Sequence, residues 1–232
     1  MKPESTAILI FAQSGRRDAR AKGISGGDQV FDLLTERTLE KVKRTGLTWF
    51  HVGEEQQTGN DFGERFSNAL QSVFETGIEN LIVVGNDSPG LSTALLKKAA
   101  RSLQKGKPIL GPASDGGVYL IGLHRSHFVR TQFKAVPWQS SMVYHHLSKI
   151  IRVQTNNIPV VLEYQMDLDS LGDLQNWTRT TAFAGDLMFR MIKSLCVKRF
   201  ILVFPELSNQ DIYPFTRYNK GSPIDPVMSG VL

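Results

Sequence analysis

Two short apolar runs, each bounded by polar residues, constrain the fold of this chain more than any other feature. Residues 7–12 read AILIFA and residues 81–85 read LIVVG. Runs of this length that are rich in β-branched residues and lack polar alternation are typical of parallel strands buried on both faces. Helical patterns follow both runs, so the sequence predicts an α/β sheet.

Amphipathic helices and further strands complete this alternation. The clearest helix has apolar residues at spacings of three and four from Phe62 to Phe74 and ends near Gly77. Ser170 and Asp173 have the spacing of a capping box that opens another helix. The remaining patterns predict helices over about 29–44, 95–103 and 142–151, and strands over 47–52, 109–111, 118–122 and 158–162.

Length and composition predict one main domain, over residues 1–181 of the 232. Residues 182–232 are expected to add a helix over about 184–195, a strand-like run over 200–204 and a tail rich in Pro, Gly and Asn. No apolar run approaches the roughly 20 residues that cross a bilayer, and no signal-peptide pattern opens the chain, so a cytoplasmic protein without membrane contact is expected. The single cysteine, Cys196, excludes an internal disulfide.

Basic residues cluster directly after the first strand. Arg16, Arg17, Arg20 and Lys22 follow it within a loop that is a candidate for phosphate binding. The alternative is an ordinary solvated surface. The formal net charge of +5 chooses no partner, and the chain has no basic stripe interleaved with aromatic residues, so no nucleic acid partner is expected.

Asp87 is the strongest candidate for a chemical role. It comes directly after the buried strand at 81–85 and before Pro89 and Gly90. Ligands of open α/β sheets bind at the carboxyl ends of the strands, and Mg²⁺ prefers hard oxygen ligands of this kind. A side chain that only caps the following turn is the alternative.

A second pair of acids, Asp167 and Asp169, follows the last predicted strand. We expect only one of the two to face the site and favour Asp169, with a solvated loop acid as the alternative.

Two other segments are candidates for ligand contact. Asp115, Gly116 and Gly117 place two glycines after an acid, which permits close approach of backbone N–H groups to a ligand, although a plain tight hairpin explains them equally well. In GNDFGER (residues 59–65), Asp61 and Glu64 complement a helix N-terminus, and Arg65 is a candidate ligand-binding residue.

Five motifs in order, GNDFGER (59–65), VVGNDSPGL (83–91), LGPASDGGVYLIGL (110–123), PW (137–138) and DLDSLGDL (167–174), resemble one family. It is the glycosyltransferase-A-like family of transferases associated with radical-SAM and selenodomain proteins, related to phospholactate guanylyltransferase. The resemblance covers roughly residues 6–180. Relatives usually carry a glycine-basic-threonine-arginine signature where this chain has residues 14–23, and an aromatic residue where it has Val118.

The resemblance implies a GT-A-like, nucleotide-diphospho-sugar transferase fold, with a mixed, mostly parallel Rossmann-type sheet and helices on both faces. It also implies a transferase that uses a nucleoside triphosphate or nucleotide-sugar donor and a small-molecule acceptor, with nucleotidyl transfer slightly favoured over glycosyl transfer. Asp87 and Asp169 would bind Mg²⁺ or Mn²⁺, and Asp115 would join them in catalysis. Arg16, Arg17, Lys22, Arg65, Gly116 and Gly117 would contact the ligands. The alternative is a non-catalytic nucleotide- or partner-binding protein.

Overall fold

A computed structural model describes residues 5–180 and 185–203 of the chain. The strands are β1 (Thr6–Phe11), β2 (Thr48–Val52), β3 (Asn80–Val84), β4 (Ile109–Pro112), β5 (Val118–His124) and β6 (Val160–Val161). The helices are α1 (Gly15–Ala21), α2 (Asp28–Lys43), α3 (Phe62–Glu75), α4 (Thr93–Leu103), α5 (Arg130–Lys134), α6 (Val143–Thr155), α7 (Leu171–Thr180) and α8 (Leu187–Val203).

The six strands form one sheet in the order β2-β1-β3-β5-β4-β6. All neighbouring pairs are parallel except β3 with β5 and β4 with β5, so β5 alone runs against the others. The predicted mixed, mostly parallel sheet is therefore confirmed. The carboxyl ends of β1 and β3 and the amino end of β5 meet at one edge.

Helices cover both faces of the sheet. Successive side chains of a strand point to opposite faces, so neighbouring residues pack against different helices. In β1, Leu9 packs into a cluster with residues of α3, α5 and α6, whereas Ile8 and Ile10 pack into a second cluster with α4. All three are fully buried. Burial on both sides is the physical reason for the continuous apolar runs of β1 and β3.

A third apolar cluster brings an amino-terminal segment of the chain together with a carboxyl-terminal one. It combines Phe31 and Leu34 of α2 with Leu168, before α7, and with Met188 and Ile192 of α8. No helix in the described ranges is long and apolar enough to cross a membrane.

Two sequence predictions of secondary structure are wrong. The first loop is largely replaced by α1, whose Arg and Ala residues favour a helix that has too few apolar positions to show a period. The strand-like run from residue 200 continues α8 as a helix to Val203, since a short apolar run does not distinguish a strand from a buried helix. Residue 204 and the tail lie outside the described residues.

Candidate functional site

A cleft of about 540 Å³ opens at the edge of the sheet where β1 and β3 end and β5 begins. Its size lies within the ordinary range of small-molecule sites. Its charged lining consists of Asp18, Lys22, Asp87, Asp115, Asp167 and Asp169. Its apolar lining includes the aromatic side chains of Phe11, Phe62, Phe66 and Trp138.

Lys22 lies between Asp87 and Asp169, the two carboxylates that the family resemblance implies as metal ligands. Its Nζ lies 3.2 Å from Asp87 Oδ2 and 2.8 Å from Asp169 Oδ1. It also donates to the carbonyl oxygen of Leu168 at 3.0 Å. The predicted meeting of Asp87 and Asp169 at this edge is thus present in the structure, with an ammonium group between them.

Burial and the neighbouring opposite charges act in opposite directions on the pKa values of Lys22 and Asp169. Burial alone would lower the pKa of Lys22, but Asp87 and Asp169 together raise it above its ordinary value. For Asp169, burial raises the pKa, and the Lys22 charge opposes that change. Lys22 is therefore a cation at neutral pH.

Asp167 also lines the cleft, which corrects the expectation that only one of Asp167 and Asp169 faces it. Residues two apart on an extended chain share a face, and the intervening Leu168 points into the third apolar cluster, where it is fully buried. The hydroxyl of Ser88 donates a short hydrogen bond to Asp167. Burial, with the charge of Asp87, raises the pKa of Asp167 well above its usual range.

Asp18, which no sequence pattern singled out, lies one helical turn before Lys22. The residue is only 7% exposed, and its carboxylate accepts a hydrogen bond from Asn86 Nδ2 at 2.9 Å. The same amide donates to Thr35 Oγ1 at 2.9 Å. Burial raises the pKa of Asp18, although the bond from Asn86 acts in the opposite direction. These contacts tie α1 to the end of β3 and so hold the backbone that carries Lys22.

The aromatic wall was also missed as a site feature. Phe62 and Phe66 stack with centroids 5.8 Å apart, and the Trp138 ring lies 4.6 Å from that of Phe66. Trp138 is oriented by a 2.8 Å hydrogen bond from Nε1 to the carbonyl of Phe133. Gln139, next to it on the cleft wall, has a φ of 62°, an uncommon backbone conformation for a residue with a side chain. The helical pattern of α3 was the only signal for Phe62 and Phe66, and it indicated core.

The two glycines of the Asp115 segment have different surroundings. Gly116 has a φ of 92°, and a Cβ there would lie 2.2 Å from the backbone oxygen of Ser141. Gly117 lines the cleft, and its N–H donates to Asp115 Oδ1 at 2.8 Å. The segment is thus a tight turn, in which Gly116 serves the backbone and Gly117 borders the cleft.

Three residues that were predicted to contact ligands do not reach the cleft wall. Arg16 and Arg17 are exposed on α1, and Arg16 borders a separate shallow depression with Arg20. Arg65 lies on α3, and its Nε is buried without a hydrogen-bond partner among the described residues. Of the basic residues proposed as ligand contacts, the structure places Lys22 alone at the cleft.

The residues present offer hard oxygen ligands of the kind that Mg²⁺ and Mn²⁺ accept, from Asp87 and Asp169. Two carboxylates suffice only if phosphates and water supply the other ligands, as is usual for Mg²⁺ bound with a nucleotide. Within residues 5–180 and 185–203, no group of three or more His, Cys, Asp or Glu side chains is arranged to hold a metal ion. A metal ion held by these two carboxylates would therefore need its other ligands from water or from a bound anion.

The model of a family described as "Uncharacterized protein conserved in bacteria (DUF2064)" matches residues 33–140. No curated protein matches the sequence. Among solved structures, a candidate nucleotide-diphospho-sugar transferase from Desulfovibrio desulfuricans G20 is 22% identical, with a TM-score of 0.71. The alignment covers 84% of this chain and 98% of that one.

Two further structures are more distant. CMP:2-keto-3-deoxy-manno-octonic acid synthetase in complex with CTP is 11% identical over 75% of this chain and 97% of its own, with a TM-score of 0.43. Rv0371c of Mycobacterium tuberculosis H37Rv in complex with manganese is 12% identical over 76% of this chain and 100% of its own, with a TM-score of 0.41. Structural similarities with a TM-score below 0.5 assign neither a fold nor a ligand. The structure at 0.71, together with the sheet order, shows that this chain has the GT-A-like fold of nucleotide-diphospho-sugar transferases.

Proposed function

We propose that the chain is a transferase that binds a nucleoside triphosphate or nucleotide-sugar in this cleft, together with Mg²⁺ or Mn²⁺. The observation that carries the proposal is the convergence of Asp87 and Asp169 on one cation position at the carboxyl edge of the sheet. That edge is where ligands of open α/β sheets bind.

The charge of the cleft supports a requirement for a divalent cation. Among the described residues that line it, five are aspartates and one is a lysine. Even with Asp167 protonated, acidic groups outnumber the basic one. Donor phosphates entering beside these carboxylates would be repelled unless a cation entered with them.

Asp87 and Asp169 would hold the metal, which when bound supplies charge neutralisation and polarisation at the donor phosphates. Asp18 and Asn86 would keep Lys22 in place beside the phosphates. The aromatic wall at Phe66 and Trp138 would exclude water and orient the planar or apolar part of a ligand by stacking. Rate enhancement would come from positioning and electrostatics.

The acceptor would lie at the side of the cleft that Asp115 and Gly117 border. Gly117 leaves room for an acceptor to approach the backbone, and Asp115 would orient an acceptor hydroxyl. The five sequence motifs resemble a family related to phospholactate guanylyltransferase, and this resemblance favours nucleotidyl transfer over glycosyl transfer to a small molecule. The reaction would take place in the cytoplasm.

The test is a thermal-shift and calorimetric panel of nucleoside triphosphates and nucleotide-sugars, with and without Mn²⁺. Asp87→Asn should lose most of the Mn²⁺-dependent gain in nucleotide affinity, at least about tenfold, because it keeps the shape and removes the charge. Asp169→Asn should lose less. The matched control is Asp61→Asn outside the cleft, where Asn also caps α3. If Asp87→Asn gains as much from Mn²⁺ as the wild type, the metal is not held there.

A second candidate is a nucleotide- or partner-binding protein without turnover. It is favoured by α1, which replaces the predicted phosphate loop and leaves Arg16 and Arg17 outside the cleft. Such a protein would bind a nucleotide with metal but release no product from any donor and acceptor pair. Product analysis with the tightest ligand of the panel separates the two candidates.

A further inference from the structure

Lys22 has the coordination of a bound cation. An ammonium group has three N–H donors, and here the nitrogen lies within 3.2 Å of three oxygens, from Asp87, Asp169 and the carbonyl of Leu168. It also lies 5.0 Å from the centre of the Phe31 ring. The Lys22 side chain is only 14% exposed.

The backbone of Lys22 is held independently of these contacts. Lys22 directly follows α1, and its N–H is bonded to the carbonyl of Asp18 at 2.9 Å. Asp18 in turn is bonded to Asn86, next to Asp87. A movement of the side chain away from the carboxylates would therefore leave its attachment point at the cleft.

We propose that Lys22 is a built-in counter-cation that holds the metal position between Asp87 and Asp169 and must leave it before Mg²⁺ or Mn²⁺ binds. The two cations exclude each other because they use the same carboxylates of Asp87 and Asp169 and repel at contact distance. Nucleotide phosphates resolve the conflict, since they supply ligands to the metal and acceptors to the displaced ammonium. The inference rests on the proposed function for the identity of the metal and of the nucleotide.

This arrangement would prevent a metal ion from binding to the cleft before a nucleotide does. With Lys22 in place, the two carboxylates are paired, and a free metal ion gains too little to displace a tethered cation. The metal then enters mainly as a metal–nucleotide complex. The cleft is thereby kept from filling with metal alone.

The experiment measures binding of Mn²⁺ alone, by electron paramagnetic resonance of the free ion and by calorimetry, without any nucleotide. Lys22→Met should bind Mn²⁺ at least about tenfold more tightly than the wild type, because a like charge in contact with both ligands has been removed. The double variant with Asp87→Asn should lose this gain, which locates the metal.

Two controls separate the effect from a general loss of charge. Lys22→Arg keeps the cation and should bind Mn²⁺ as weakly as the wild type. Lys134→Met removes the same charge from an ion pair with Glu64 outside the cleft and should change nothing. If Lys22→Met is poorly folded by circular dichroism, Lys22→Gln replaces it, with the same expectation.

Two outcomes would overturn the inference: Mn²⁺ binding to folded Lys22→Met or Lys22→Gln that is no tighter than to the wild type, or equal tightening in Lys134→Met. Failure of the proposed function looks different. In that case no nucleotide binds with Mn²⁺, yet Lys22→Met still binds Mn²⁺ alone more tightly, and the exclusion by Lys22 stands.

Discussion

Replacing Gly116 and Gly117 separately by alanine should reduce stability by very different amounts, although the two glycines are neighbours. At Gly116 the φ of 92° places an added Cβ in a strained conformation, and the atom would lie 2.2 Å from the backbone oxygen of Ser141. A carbonyl oxygen cannot rotate away as a side chain can, so the start of α6 would have to shift.

The structure gives a rough size for each effect. The backbone conformation costs about 1–2 kcal/mol for a residue with a Cβ, and overpacking adds about 1–3 kcal/mol. We therefore expect Gly116→Ala to lower the free energy of unfolding by about 3 kcal/mol. At Gly117 the nearest atom to the new Cβ is the side-chain oxygen Asp115 Oδ1, at 3.0 Å. Because that carboxylate can turn, Gly117→Ala should cost less than about 1 kcal/mol.

The assay is urea unfolding, read by fluorescence and by circular dichroism, together with the melting temperature. For a chain of this size, about 3 kcal/mol corresponds to a fall of roughly 6–12 °C. Gly117→Ala should instead alter ligand binding at nearly unchanged stability, because its Cβ would enter the cleft wall. Losses of stability within about 0.5 kcal/mol of each other would refute the distinction between a backbone glycine and a cleft glycine.

Two further predictions concern stability away from the cleft. Asp61→Ala should lower the unfolding free energy by about 1 kcal/mol in a urea titration. The reason is that Asp61 accepts a 2.7 Å hydrogen bond from the Glu64 N–H at the start of α3. An unchanged unfolding free energy would mean that this cap is redundant. Burial, with the nearby His124, lowers the pKa of His127, so the unfolded chain takes up this proton at a higher pH than the folded one. The unfolding free energy should therefore fall as pH drops below about 6.5, by well under about 1 kcal/mol because the ring is partly solvated. His127→Gln should reduce this fall between pH 7.5 and 5.5, and an unchanged pH slope would contradict the assignment.

The elements that the sequence predicts well are those whose burial is uniform along the chain. β1 and β3 are buried at every position, so their runs are visible without any knowledge of the neighbours. The apolar stripe of α3 is equally clear, and its bounds agree with the prediction within two residues. The α1 helix has no such stripe, because the polar Asp18 is among its few buried residues.

The part of the site that the sequence predicts is the part that follows from one rule, that ligands of open α/β sheets bind at the carboxyl ends of the strands. The positions of Asp87 and Asp169 follow from strand ends that meet at one edge. The bond between Lys22 and Leu168 joins positions 146 residues apart, and no local pattern encodes it. The same is true of Trp138, whose place beside Phe66 depends on how α3 and the segment after α5 pack together. The error over Asp167 was one of geometry, since i and i+2 positions share a face.

The contacts of α8 bear on where the chain can be cut. Met188 and Ile192 share an apolar cluster with Leu168, which carries the carbonyl that holds Lys22 and separates Asp167 from Asp169. A fragment that stopped at residue 181 would lack Met188 and Ile192 and would expose this cluster to water directly behind Asp167 and Asp169. The shortest fragment suited to binding or crystallisation work therefore retains α8, even though the described residues that line the cleft all come before it.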